Sequence, residues 1–212
     1  MRIEGTFALA LCLGLFGCKA RTDDSTSNYT RAINTYYASR PACLWAQSQK
    51  LPVQVDSSDT SKTSGFDALV DQGLLQRTTD EKKRFLIGSK QVTNYDLSQQ
   101  GRTAWTPDQQ QPGFGNFCYG TFSVTTVDSA TATNAQPGSA TTVTYHAKLS
   151  GVPAWASAPE TQNAYPQVAS EVAGPVAGSA TLTDTANGWT VTSGPAVNAR
   201  PPVTNADGSI VQ

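Results

Sequence analysis

Ala180-Thr-Leu-Thr-Asp-Thr-Ala-Asn-Gly-Trp-Thr-Val-Thr192 is the stretch that decides the class of fold. Residues 180–185 and 189–192 alternate between apolar and polar side chains, as the two faces of a half-buried strand require. Asn187-Gly188 separates the two runs, and this dipeptide tolerates the positive φ angles of a tight hairpin turn. The sequence therefore predicts an antiparallel hairpin near the end of the chain.

The region before this hairpin carries further strand signals. Residues 142–149 alternate throughout, and residues 122–124 alternate over a shorter run. Between them, residues 128–139 are rich in Ala, Thr, Asn, Pro and Gly, which predicts a hairpin loop. With a short helix over 165–172, we expect the second half of the chain to form an antiparallel sheet.

The first half shows helical spacing instead. Apolar residues within 29–47 recur at intervals typical of one face of a helix, which predicts one or two helices interrupted near Pro41. Residues 64–75 predict another helix, with Ser64 as its N-cap and Gly73 as its terminator. Helices therefore dominate this half of the prediction.

Two stretches of the first half favour strands. Residues 51–55 alternate and are β-branched, which predicts a short strand at an edge or a strand start, since Pro52 cannot donate to a ladder. Runs at 84–87 and 92–97 flank Gly88-Ser89-Lys90-Gln91, which predicts a hairpin with its turn over 88–91.

These patterns predict an α+β fold in one compact domain, with a helical N-terminal half followed by an antiparallel sheet. We expect the domain to occupy residues 29–194. A polar tether over 18–28 precedes it, and a poorly ordered, proline-containing tail over 195–212 follows it.

Part of the first half resembles the end of a winged-helix module over residues 64–102. The resemblance is carried by Ala68-Leu69, Gly73-Leu74-Leu75 and Arg77, followed by Tyr95-Asp96-Leu97-Ser98 and Gly101-Arg102. It implies a helix followed by two wing strands.

Nucleic-acid binding is nevertheless not expected of this segment. Its helix over 64–75 carries Asp67 and Asp71 and no basic residue. Phosphate contacts from Lys and Arg dominate affinity for nucleic acid, so this helix would be repelled.

The start of the chain resembles a bacterial lipoprotein leader. Residues 7–16 are almost wholly apolar, a run too short to span a bilayer, which takes about 20 residues, but typical of a signal peptide. The run ends in Leu15-Phe16-Gly17-Cys18, which resembles the lipobox.

The lipobox implies removal of residues 1–17, a thioether-linked diacylglycerol on Cys18 and an acyl chain on its new amino terminus. Several chains would hold the protein at a membrane far more firmly than one. Lys19, where an aspartate would imply inner-membrane retention, implies the outer membrane, with the domain in the periplasm.

Charge and composition limit the partners. Fifteen Lys and Arg against 16 Asp and Glu give a formal charge of −1, so the chain has no basic footprint for nucleic acid. Charged residues make up 15% of the chain, below the roughly 25% of ordinary globular domains, which favours an extracytoplasmic protein.

The cysteines predict one disulfide. Cys12 would leave with the leader and Cys18 would carry lipid, which leaves Cys43 and Cys118 as a pair in a compartment where disulfides persist. Two distant cysteines and one histidine cannot complete a zinc site, so neither a metal nor a cofactor is expected.

His146 is the only histidine, so any triad or dyad would have to use it. Alternation places it on the polar face of its strand, where an ordinary solvent-facing residue lies. A thiol–imidazole pair with Cys118 is the catalytic alternative, and a disulfide to Cys43 would occupy that sulfur.

Several aromatic residues lie near the two cysteines in the sequence. We interpret them as core, and the alternative is an exposed platform for a glycan, a peptidoglycan strand or a protein partner. The candidate partner-binding residues on that alternative are Trp45, Trp105 and Trp155.

The function expected from these features is that of a membrane-anchored envelope lipoprotein that binds or scaffolds an envelope protein or glycan without catalysis. One alternative is a hydrolase or transferase acting on the cell wall. Another is a resistance or inhibitor protein that sequesters a small molecule. A polar cleft, an exposed aromatic patch and an apolar cavity would distinguish catalysis, partner binding and sequestration respectively.

Overall fold

A computed structural model describes residues 23–84, 88–133 and 139–197 of the chain. Within these ranges the helices are α1 (Thr26–Ala38), α2 (Thr60–Asp71), α3 (Gln99–Ala104), α4 (Ala154–Ser157), α5 (Pro159–Ala164) and α6 (Pro166–Val172). The strands are β1 (Ala42–Cys43), β2 (Gln49–Lys50), β3 (Val53–Asp56), β4 (Leu75–Arg84), β5 (Gly88–Leu97), β6 (Trp105–Pro107), β7 (Phe114–Ala132), β8 (Ala140–Ser150), β9 (Val176–Thr185) and β10 (Gly188–Val197).

Strands predominate, so the predicted α+β class with a helical N-terminal half is wrong. The second helix predicted before residue 47 is replaced by β1 and a turn. Pro41 cannot continue α1, and the backbone beyond it pairs with a distant strand, where Leu44 N–H donates to the Phe117 carbonyl at 2.9 Å. Helical spacing at Leu44 and Trp45 reflects contacts with β7 rather than a helix.

The antiparallel sheet predicted for the second half is present and is built on β7. Its long strands follow the order β7-β8-β9-β10, with β1 on the other side of β7. Strands β2 and β6 both pair with β7 at Gly115 and therefore lie on opposite edges of it. The sheet curls, and α1 packs against β7, β9 and β10.

Helix α1 supplies the core on the inner face of this sheet. Ser25 caps it by accepting from Asn28 N–H at 3.4 Å, and its buried residues include Tyr29, Ile33 and Tyr37 at helical spacing. The Tyr37 hydroxyl bonds the buried Tyr145 hydroxyl at 2.8 Å, which links α1 to β8.

A second sheet, of order β3-β5-β4, lies in the first half of the chain. Helix α2 connects β3 to β4 and ends at Asp71, before the predicted Leu75. Gly73, the predicted terminator, follows it with a φ of 70°. Gly73 N–H donates to Val70 at 2.8 Å and Leu74 N–H to Leu69 at 2.9 Å. This pair of bonds is a Schellman motif, and it turns the chain directly into β4.

Helix α3 follows β5 and lies against the end of α2. Ser98 caps α3 by accepting from Gly101 N–H at 2.8 Å, and its hydroxyl donates to the Gly73 carbonyl at 2.5 Å. A β-carbon at Gly101 would come within 1.8 Å of the Leu74 carbonyl oxygen. The close approach of α3 to residues 73–74 therefore depends on glycine at position 101.

The helix and the two-stranded hairpin predicted over 64–102 are present, with different bounds. Helix α2 starts at Thr60, because Asp59 rather than Ser64 caps it. Residues 88–91, predicted as the turn, belong to β5. The first strand of the hairpin, predicted over 84–87, is β4 over Leu75–Arg84, and residues 85–87 lie outside the described part.

The hairpin predicted at 180–192 is confirmed, since Gly188 pairs with Thr185 across a loop of two residues. Elsewhere the strands run further than predicted. Strand β7 continues through Ala132, within the predicted loop, of which residues 134–138 lie outside the described part. Helix α6 matches the predicted short helix, whereas α4 and α5 were not predicted.

The ends of the domain also differ from prediction. Helix α1 begins at Thr26, within the predicted tether 18–28, and Asn28 is already buried. Strand β10 continues to Val197, past the predicted boundary at 194. The leader, Cys18 and the remainder of the predicted tail lie outside the described residues.

The disulfide expected from the cysteine count is present in the structure. Cys43 on β1 and Cys118 on β7 lie directly opposite each other in the sheet and are bonded. The bridge joins the segment after α1 to the central strand.

Candidate functional site

The candidate site is a groove of about 410 Å³ where α1 crosses the start of the edge strand β10. Its volume lies in the range of small-ligand sites, roughly 300–1,000 Å³. The helix wall includes Arg31, Thr35, Tyr36 and Arg40, and the strand wall includes Asn187, Trp189 and Thr190.

The helix wall carries two exposed arginines. Arg31 Nη1 donates to Asn28 Oδ1 at 3.2 Å, and Arg40 Nη1 donates to Ser39 Oγ at 3.0 Å. The Arg40 guanidinium carbon lies 4.1 Å from the Tyr36 ring centroid, a cation–π contact that fixes the charged group over the ring. Each of these bonds uses one donor and goes to a neutral side chain, so each guanidinium keeps most of its donors.

Among the described residues, no carboxylate lines the groove. Neither arginine forms an ion pair within the described ranges of the chain. The ion pairs found there involve other basic residues. An arginine is charged at any physiological pH. The groove is therefore a local cationic site on a molecule that is close to neutral overall.

The strand wall carries Trp189, whose ring is held in place. It packs edge-to-face on Tyr29 with 5.0 Å between centroids, and its Nε1 donates to the Asp23 carbonyl at 3.3 Å. The residue is half-buried, so part of its surface is exposed to solvent. On the helix wall, Tyr36 packs over Gly194, where a β-carbon would collide with its hydroxyl.

A second depression lies at the start of α1, beside the β7–β8 hairpin. It is wide and shallow, and its lining is mostly small, with Asp24 as its charged side chain. The Tyr29 hydroxyl already donates to Asp24 at 2.8 Å. This depression offers neither a cation nor a free ring face, so the groove between α1 and β10 is the stronger candidate.

The three predicted partner-binding tryptophans lie together, packed against the core. Trp45, Trp105 and Trp155 surround Phe117, with ring centroids 5.8, 5.1 and 6.1 Å from it. Trp155 is 8% exposed, and the other two are half-buried. The packing fits the core interpretation, and a partner-binding role for these rings stays a prediction.

His146 lies on the outer face of the sheet, as alternation predicted. Its Nδ1 is 2.9 Å from the nearer Asp128 carboxylate oxygen, and both side chains are more than 40% exposed. His146 is opposite Thr126 on β7, eight positions from the disulfide-bonded Cys118. At about 3.3 Å per residue the two groups are roughly 25 Å apart, so they form no thiol–imidazole pair.

Polar groups around α2 are neutralised by one another. Arg77 and the Tyr95 hydroxyl both donate to Asp67, at 2.6 and 3.0 Å. Lys90 forms an ion pair with Asp56, and this bond lowers the pKa of Asp56 to about 2. The absence of nucleic-acid binding stays a prediction, with these pairs in its favour.

Two further negative findings apply to residues 23–84, 88–133 and 139–197 alone. No three His, Cys, Asp or Glu side chains come close enough together to hold a metal ion. No helix there has the length and apolarity that crossing a membrane takes.

Sequence reasoning missed the groove, because its walls are separated by about 150 residues of chain. The signal was Arg31 within α1 and Arg40 just after it, with no acidic residue between them. Comparisons with protein-family models, curated proteins and solved structures found no match to this chain.

Proposed function

We propose that this chain is a lipid-anchored, non-enzymatic binding protein of the cell envelope, and that the groove between α1 and β10 receives an anionic ligand. The observation that carries the binding part is a pair of arginines, Arg31 and Arg40, that border the groove with Trp189 and form no ion pair with any carboxylate of the described residues. The lipobox at residues 15–18 supports the anchored part.

The geometry of the chain start supports a groove close to the membrane. Asp23, whose carbonyl accepts from Trp189, is five positions after Cys18. Five residues span at most about 18 Å when fully extended. A lipid on Cys18 would therefore hold the groove within reach of the membrane surface, and of whatever polymer lies beside it.

The enzymatic alternative has less support. A hydrolase or transferase would need an acid–base pair in a cleft, and His146 with Asp128 lies exposed on the outer face of the sheet. Sequestration of an apolar small molecule would need an enclosed apolar cavity, whereas the groove is open and carries two guanidinium groups.

The anchor is tested by metabolic labelling with a fatty-acid analogue. Wild-type protein should incorporate the label and fractionate with the outer membrane, and Cys18→Ala should do neither. Equal labelling of the two forms would refute the anchor.

The groove is tested by photocrosslinking in intact cells. A photoreactive residue at Thr190, which is exposed and lines the groove, should crosslink to envelope material, and Arg31→Gln with Arg40→Gln should abolish the product. Thr126, exposed on the outer face of the sheet, is the matched control position. Equal crosslinking from both positions would contradict the proposal.

A further inference from the structure

The positions and the chemistry of the groove residues indicate which class of anionic ligand the groove binds. Arg31 and Arg40 are nine positions apart along α1 and the turn that follows it. Arg31 bonds Asn28 and Arg40 lies over Tyr36, and these two residues of α1 are eight positions apart, about 12 Å along the helix axis at 1.5 Å per residue. A chain with anionic groups at intervals can therefore contact both guanidinium groups where they are held, whereas one compact anion could do so only if an arginine left its present contacts.

The form of the cations favours carboxylates. Arg40 is held over the Tyr36 ring, so its planar fork is oriented before a ligand arrives. A guanidinium binds a carboxylate through two parallel hydrogen bonds, and a fixed fork loses little freedom in making them. Carboxylate and phosphate share this geometry, so the remaining lining has to distinguish the ligand.

The remaining lining combines hydroxyl and amide groups with an aromatic ring. Thr35, Ser39, Asn187 and Thr190 border the groove together with Trp189. Half-exposed aromatic rings suit ligands that offer apolar contact and hydrogen bonds together. A sugar has that character, because its C–H face packs on a ring while its hydroxyls bond the polar groups around it.

From these observations we propose that the groove binds a glycan strand bearing carboxylates, with Arg31 and Arg40 each contacting an acidic group and Trp189 packing on the sugar between them. The proposal rests on the proposed function and names its ligand class. Two envelope sources share this chemistry. One is peptidoglycan, which carries peptide carboxylates or, where the peptide is absent, lactyl carboxylates, and the other is a polysaccharide built on uronic acids.

The test is isothermal titration calorimetry, which measures the affinity of the full mature protein, purified in detergent, for defined probes. A muropeptide disaccharide oligomer and an oligogalacturonate represent the two sources. Three further probes are controls. Chitohexaose is a glycan without charge, a polyglutamate peptide carries carboxylates without sugar, and vesicles of anionic phosphatidylglycerol represent a membrane surface.

At least one acidic glycan should bind more tightly than the three other probes. Arg31→Gln and Arg40→Gln should each weaken that binding about tenfold or more, as expected for a lost hydrogen bond to a charged group. Arg102→Gln, which changes an exposed arginine on α3 outside the groove, should leave binding unchanged. Binding should also alter tryptophan fluorescence in the wild type and not in Trp189→Phe, which locates the ligand at the strand wall.

Each other outcome overturns the inference. If chitohexaose bound as tightly as the acidic glycans, the charge of the ligand would be irrelevant. If polyglutamate or the vesicles bound as tightly, the sugar would be irrelevant. If Thr190 still crosslinks in cells in an arginine-dependent manner, the proposed function stands and the ligand class alone is wrong. If no anionic probe binds and the crosslink is absent, both fail.

Discussion

Two buried phenols join α1 to the curled sheet. Tyr37 is 4% exposed and Tyr145 is fully buried, and their hydroxyls are 2.8 Å apart. The Tyr145 ring also packs on Gly178 of β9, where a β-carbon would collide with it. A buried hydroxyl without a partner costs more than a hydrogen bond contributes, so the pair should respond unequally to single and double substitution.

Tyr145→Phe should lower the free energy of unfolding by about 1–3 kcal/mol, because it leaves the Tyr37 hydroxyl buried and unpartnered. Tyr37→Phe combined with Tyr145→Phe should cost clearly less than the sum of the two single substitutions. Urea denaturation of the four proteins measures this coupling. Strict additivity would show that the hydroxyls do not depend on each other.

The tyrosines also predict how stability depends on pH. Burial, the largest cause, raises the pKa of Tyr145 to about 12, and it likewise raises the pKa of Tyr29 and Tyr95 to about 12. In the unfolded chain tyrosine titrates near pH 10. The folded state holds these protons more tightly, so the stabilisation is complete below pH 10 and is lost as the pH rises towards 12. The melting temperature should fall across that window, and a flat profile up to pH 12 would contradict the burial of these phenols.

At the scale of elements, α3 depends on one glycine. Gly101→Ala would place a β-carbon against the Leu74 carbonyl, and backbone cannot move aside as a side chain can. We expect a loss of about 2–3 kcal/mol in unfolding free energy, as for other overpacked sites, despite the better helix propensity of alanine. Chemical denaturation measures it.

Gly174→Ala is the matched control for this substitution. Gly174 lies between α6 and β9, its φ is not positive, and nothing lies within 4 Å of a β-carbon there. Its effect should stay within about 0.5 kcal/mol, as at ordinary surface positions. Similar effects at the two glycines would remove the close approach of α3 as the cause.

Elements with local causes could be predicted from the sequence, and elements with distant partners could not. The turn chemistry of Asn187-Gly188 gave the β9–β10 hairpin, and Gly73 gave the end of α2. Residues 42–45 were misassigned, because their structure comes from Asn116 on β7. Its side chain accepts from Trp45 N–H at 3.2 Å and donates to the Trp45 carbonyl at 2.7 Å.

At the scale of the whole molecule, the disulfide is the simplest stabiliser to test. Cys43 and Cys118 are 75 positions apart, and closing such a loop removes about 4 kcal/mol of unfolded-state entropy in the chain-entropy model. Reduction should lower the melting temperature of the wild type. A variant with both Cys43→Ser and Cys118→Ser should have a lower melting temperature than the oxidised wild type, and reductant should not change it. A wild type insensitive to full reduction would contradict a stabilising role.

The site itself is a property of the whole molecule, which is why sequence patterns did not reveal it. Arg31 lies on the polar face of α1 and Arg40 lies two positions after its end, whereas Trp189 lies in the predicted β9–β10 hairpin, about 150 residues further along the chain. The curl of the sheet brings them together. His146, the only histidine, lies on the outer face of the sheet rather than in the groove. The tryptophans near the disulfide pack around Phe117.

The most direct test of a ligand in the groove is arginine footprinting in the intact envelope. Labelling by an arginine-directed dicarbonyl reagent, read by mass spectrometry, compares Arg31 and Arg40 with Arg102 in cells and in purified protein. If the groove is occupied, Arg31 and Arg40 should react severalfold more slowly in cells than in the purified protein, while Arg102 reacts alike in both. Equal rates at all three arginines in cells and in the purified protein would contradict a ligand between α1 and β10.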